Sequence, residues 1–136
     1  RQGDLQGIIA YCQVWTMAEP KNASSWSTLG WAYAASGDTG RGIVYLKKGL
    51  ELDPGNAGTW YNLGLAYAQS NQRQRSAECY EKCISIDPDY AAAWYNLGIL
   101  YKMAGEEKKV MNAYHELKRI NPAKAEMFHK KIVTAK

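Results

Sequence analysis

The sequence is poor in the residues that usually carry chemistry: its 136 positions hold two histidines, three cysteines and four prolines. His115 and His129 have no carboxylate or nucleophile placed beside them by the sequence pattern, and both are expected on helix surfaces. No glycine-rich phosphate loop, paired-carboxylate cleft or metal-ligand cluster is present in the sequence. Catalysis is therefore not expected, and neither a cofactor nor a metal is implied. No apolar run approaches the roughly 20 residues that span a bilayer, and no basic, apolar and small-residue succession of a signal peptide opens the chain. Cys79 and Cys83 lie four apart on one expected helix, a poor geometry for a disulfide and too few ligands for zinc. With Cys12 they read as small buried thiols, which favours a reducing, cytoplasmic compartment.

Net charge is +4, and its placement says more than its size. Residues 1–101 carry 8 Lys/Arg against 9 Asp/Glu, whereas residues 102–136 carry 9 against 4. Lys108, Lys109, Lys118, Arg119, Lys130 and Lys131 could attract a phosphate backbone, but they are interleaved with Glu106, Glu107, Glu116 and Glu126. A solvated helical face is the expectation, and nucleic acid is not. At 46% hydrophobic and 22% charged, the composition is that of one ordinary globular domain.

What the sequence does have is a period. Displaced by 34 residues on itself, it superposes Trp26 on Trp60 and Trp94, Leu29 on Leu63 and Leu97, Gly30 on Gly64 and Gly98, and Tyr33 on Tyr67 and Tyr101. Pro20, Pro54, Pro88 and Pro122 share one phase. A fixed period of this size signals a solenoid, in which each unit buries its apolar face only when neighbours stack on it.

The W-x2-L-G-x2-Y pattern with its downstream Pro resembles the tetratricopeptide repeat family. The resemblance implies an all-α fold, a right-handed superhelical α-solenoid of antiparallel helix-turn-helix units. It divides a single domain, 1–136, into the second half of a leading repeat at 1–22, full repeats at 23–56, 57–90 and 91–124, and a C-terminal capping helix at 125–136.

Local signals agree with that division. Asp4 is expected to cap a helix from about Leu5 to Met17, with Ile8, Ile9, Cys12 and Trp15 as its apolar stripe. Helices are expected near 24–36 and 39–52, broken by Gly37 in the left-handed conformation and capped by Asp38. Asn71 and Gly105 take the place of Gly37 in the next two units. Gly42 and Ser76 are the small residues at the helix crossings, where the third unit has Val110. Ala125, Phe128, Ile132 and Ala135 form one face of the last helix, and Glu126, His129 and Lys130 lie off it. The first helix has no polar outer face of the kind a terminal repeat needs. The chain opens with Arg rather than Met, so it is expected to be cut from a longer array or to pair through that helix with a second copy. The capping pattern makes its C-terminus the expected end of the array.

Rotation by about 100° per residue sorts each first helix of a repeat into a packing side and an opposite side. Trp60, Leu63, Gly64 and Tyr67 fall on the packing side; Gly58, Tyr61, Asn62, Leu65 and Gln69 fall opposite. The counterparts are Ser24, Ser27, Thr28, Trp31 and Ala35, and Ala92, Tyr95, Asn96, Ile99 and Met103. In the family that side lines the inner wall of the superhelix, so the resemblance implies ligand contact there. Asn62 and Asn96 share a phase suited to reading a peptide backbone. Trp31, Leu65 and Ile99 share another that relatives often fill with polar residues, bordered by Tyr61, Tyr95 and Met103. Such an apolar strip suits a helix or extended peptide with apolar anchors, unless neighbouring helices or the capping helix cover it. Chaperone-binding relatives hold a C-terminal carboxylate with Lys, Asn and Arg; here only Asn62 matches, and Ser27, Trp31, Ala92 and Asn96 occupy the other slots.

The expected function is a non-catalytic module that binds a protein segment through Trp31, Tyr61, Asn62, Leu65, Tyr95, Asn96, Ile99 and Met103. The alternatives are a scaffold that self-associates through its first helix, and the substrate-docking arm of a larger enzyme such as a protein-modifying glycosyltransferase.

Overall fold

A computed structural model describes residues 2–134, for Gln2 in backbone only; Ala135, expected on the last apolar face, lies outside the described residues. Along the chain run α1 (Gln2–Ala18), α2 (Ala23–Ala35), α3 (Thr39–Leu52), α4 (Ala57–Gln69), α5 (Arg73–Ile86), α6 (Ala91–Met103), α7 (Glu107–Ile120) and α8 (Pro122–Phe128), then a π-helical turn at His129–Val133. No strand occurs among the described residues. The chain divides into two compact units, one up to Cys79 and one from Tyr80 onward.

The same breaks recur after α2, α4 and α6. Gly37, Asn71 and Gly105 take φ values of 100°, 61° and 76°, which reverse the chain after each helix. Each break is closed by a bond that reaches back five residues, from Asp38 N–H to Tyr33 C=O, Gln72 to Tyr67 and Glu106 to Tyr101, each at 2.9 Å. Asp38 caps α3 as expected, accepting from Arg41 N–H at 3.1 Å. Asn22, Asn56 and Asn121 cap α2, α4 and α8 in the same way. Asp4 does not cap: α1 starts at Gln2, so Asp4 sits in the first turn, where a carboxylate still complements the helix dipole.

In the first unit, Ile9 and Cys12 of α1 bury against Leu29, Ala32 and Tyr33 of α2, with Ile8 and Trp15 packed at the margin. A second cluster joins Ala34, Leu46, Leu50, Leu63, Ala66, Tyr67 and Cys79. Each large apolar side chain buried there contributes roughly 1.5–3 kcal/mol of transfer free energy. The α2–α3 crossing depends on Gly30, Gly42 and Gly49, the last packed against Ser27 and Ala23 of α2. A Cβ on Gly30 would lie 2.7 Å from the Leu46 backbone nitrogen, and one on Gly42 would lie 2.8 Å from Ala34 Cβ. At the α4–α5 crossing Ser76 is buried and its hydroxyl donates to the Gly64 carbonyl at 2.6 Å.

In the second unit, Val110, Ala113 and Leu117 of α7 form a core with Ala125 and Phe128 of α8. Pro122 opens α8, earlier than the expected start of the cap. After Phe128 the helix loosens into the π turn, which lets both Ile132 and Val133 join the core margin. Gly98 accommodates the Phe128 ring, which a Cβ at that position would overlap, and Ala113 lies beside it. Val110 is buried where the first two units have Gly42 and Ser76.

Candidate protein-binding site

The framework residues behave as packing elements with one correction. Leu63, Gly64 and Tyr67 are buried, but Trp60 and Trp94 are only half-buried, as is Trp26. Each indole N–H donates to a proline carbonyl six residues earlier, at 2.7–2.8 Å for Trp26, Trp60 and Trp94.

The residues expected on the binding wall fall in both units. In the first, Trp31 is 40% exposed, and Tyr61, Asn62 and Leu65 are half-buried. Ser27, Thr28, Trp31 and Asn62 line one cleft of about 250 Å³. The Thr59 hydroxyl donates to Ser27 Oγ at 3.2 Å, and Asn62 has no side-chain hydrogen-bond partner among the described residues. Ser27 and Thr28 were not among the expected contacts, although their phase, that of Tyr61 and Asn62 one period later, puts them on the same side.

In the second unit, Met103 is exposed at 55%, while Tyr95, Asn96 and Ile99 are half-buried. Tyr95 is engaged by the capping helix: Phe128 meets it edge-on with centroids 5.5 Å apart, and Lys124 Nζ lies 5.2 Å above its ring. Asn96 Nδ2 donates to the Tyr80 hydroxyl at 3.5 Å, so Asn62 and Asn96 do not stand in equivalent surroundings.

Titratable groups are structural here. Burial pushes the Cys79 and Cys83 thiols up to about 12, with a further push from Glu78 on Cys79 and Asp87 on Cys83, and burial also raises Cys12. All three cysteines are free and buried. Burial raises the Tyr101 phenol, whose hydroxyl donates to Glu81 at 2.6 Å. His115 is exposed, as expected, whereas His129 is half-buried with its ring 5.0 Å from that of Tyr114. No group of three or more His, Cys, Asp or Glu among the described residues is placed to hold a metal ion. No helix there is long and apolar enough to cross a membrane.

Successive helix pairs with one turn geometry and one framework define a helix-turn-helix repeat protein of the α-solenoid class. The tetratricopeptide repeat model matches residues 23–56 and 57–90, and a second model of the same description matches residues 79–110. The chain belongs to the tetratricopeptide repeat family, whose members are generally non-catalytic and bind protein partners. No curated protein sequence matches it. Among solved structures it is similar to MamA, with 27% identity and a TM-score of 0.81 over 96% of this chain and 88% of that one. It is also similar to YrrB, a TPR protein, with 20% identity and a TM-score of 0.71 over 80% of this chain and 57% of that one. An O-GlcNAc transferase of Thermobaculum terrenum shares 24% identity and a TM-score of 0.78 over 88% of this chain, but only 24% of its own.

Proposed function

We propose that this chain is a protein-binding module that takes a segment of a partner on the exposed sides of its first-of-pair helices. The observation that carries this reading is the open cleft of Ser27, Thr28, Trp31 and Asn62, beside which Tyr61 and Leu65 remain half-exposed. The fold does not need a tryptophan at position 31, since Leu29, Ala32 and Tyr33 already supply the core of α2. Tyr95, Asn96, Ile99 and Met103 are the corresponding contacts of the second unit, with Tyr95 partly occupied by Phe128. YrrB, described as having an unusual peptide-binding site, offers a parallel in the same fold. The test compares capture of a partner by the chain and by its Leu65→Glu variant at equal helicity. Loss of capture only from the variant supports the reading; equal capture of the same partner contradicts it.

A second reading, assembly of copies through α1, has its own observation. Tyr11, Val14 and Met17 are 68%, 67% and 83% exposed, and α1 carries no charged residue after Asp4. If copies assemble there, the mass measured by light scattering rises with concentration, and Val14→Lys/Met17→Lys abolishes the rise. A mass that stays at the monomer value at high concentration rejects this reading.

A further inference from the structure

We infer that the segment taken by the first unit is an uncharged stretch of chain with one aromatic or large aliphatic anchor, seated against Trp31 in the Ser27, Thr28, Trp31 and Asn62 cleft. This rests on the protein-binding reading above and names the class of segment. Charge is unevenly divided among the helices α2 to α5 of that unit, the remaining charges lying on α1 and in the turns. Helices α2 and α4, of 13 residues each, contain no Asp, Glu, Lys or Arg. The second of each pair holds the charges: Arg41, Lys47, Lys48 and Glu51 on α3, and Arg73, Arg75 and Glu78 on the part of α5 in this unit. Several of those cations are directed to framework rings. Arg41 lies 5.6 Å over Tyr33, Lys47 and Arg75 lie 6.0 and 5.9 Å over Tyr67, and Lys48 lies 5.9 Å over Trp26.

The cleft therefore offers a charged ligand nothing in exchange for its water. A carboxylate or ammonium group entering it would lose part of its hydration and find no opposite charge on α2 or α4 to replace it. The groups that are present suit a neutral peptide. The Thr28 hydroxyl and the Asn62 amide each donate and accept, as backbone N–H and C=O groups require, Ser27 Oγ being engaged by Thr59, and the 40% exposed Trp31 ring gives an apolar anchor a flat surface. At about 250 Å³ the cleft lies below the roughly 300–1,000 Å³ of small-molecule sites, room for one side chain with its flanking backbone. Recognition without ion pairs is also insensitive to ionic strength.

The experiment is selection of displayed random 12-residue peptides on the whole chain, with each selected peptide re-tested on Trp31→Ala and Leu65→Glu variants of equal helicity. The expected peptides bind the parent chain, lose at least tenfold in affinity on Trp31→Ala, share an aromatic or aliphatic anchor without a charged neighbour, and change Kd less than twofold between 50 and 500 mM NaCl. Trp31-dependent peptides that share an acidic or basic residue, or that weaken tenfold or more with salt, overturn the uncharged class and leave protein binding standing. If no peptide distinguishes the parent chain from either variant, both this inference and the binding reading fall.

Discussion

Trp60 Nε1 donates to the Pro54 carbonyl at 2.8 Å, fastening the start of α4 to the turn that precedes it. Trp26 with Pro20 and Trp94 with Pro88 repeat the bond. The conserved phase of Trp and Pro within this chain thus has a physical reason: the proline stops one helix, and its carbonyl receives the indole of the next.

Because Trp60 is only half-buried, Trp60→Ala should cost less than the roughly 3–5 kcal/mol lost on truncating a wholly buried Trp. Trp60→Phe keeps most of the apolar contact and loses the N–H, so about 1 kcal/mol is expected. Urea denaturation followed by circular dichroism measures both. Equal costs for the two variants would show that the hydrogen bond, rather than packing, dominates.

Gly105 has a φ of 76° and open space where a Cβ would lie. Gly105→Ala therefore isolates backbone strain, and a loss of about 1–2 kcal/mol is expected. Asn71→Gly, at φ 61°, should be neutral or slightly stabilising for the same reason. A thermal melt of each variant decides, and an unchanged Tm for Gly105→Ala would contradict the left-handed turn.

The helices and their breaks were legible because Trp, Leu, Gly and Tyr recur at one phase and only Gly or Asn fills the turn. The start of α1 was misjudged because Asp4 has the chemistry of a cap and, equally, that of a first-turn residue. The indole bonds were not legible, since W-x2-L-G-x2-Y specifies an apolar role and is silent on where an N–H points. Nor were the cations over Tyr33, Tyr67 and Tyr101, supplied eight residues later by Arg41, Arg75 and Lys109. That Trp31, Asn62 and their neighbours lie on the side of α2 and α4 away from the core followed from rotation alone. The cover on Tyr95 did not, because it depends on how α8 brings Phe128 across Gly98, a contact between positions 30 residues apart.

Phe128 is wholly buried between Gly98 and Tyr95. Phe128→Ala should cost about 3–5 kcal/mol and speed hydrogen exchange in α6 and α7. Exchange rates unchanged in those helices would mean that α8 does not hold them.

The thiols give a pH dependence. Cys79 and Cys83 are pushed from an ordinary value of 9.0 to about 12 in the folded chain, chiefly by burial. The folded state then holds protons that the unfolded state releases, so their contribution is full below pH 9 and declines as pH rises toward 12. The urea midpoint should fall between pH 8 and 10.5, and fall less in Cys79→Ala/Cys83→Ala. An identical decline in the double variant would assign the effect to other groups. Iodoacetamide at pH 8 should label these thiols only after unfolding.

The central claim, that the exposed side of α2 and α4 is the binding surface, is tested most directly by amide and indole NMR shifts as a selected peptide is titrated into the labelled chain. The account predicts that the Trp31 indole N–H and the backbone amides of Ser27, Thr28, Asn62 and Leu65 move together and saturate at one equivalent. Shifts confined to Tyr11, Val14 and Met17 of α1, or to α3 and α7, with Trp31 unmoved, would contradict it.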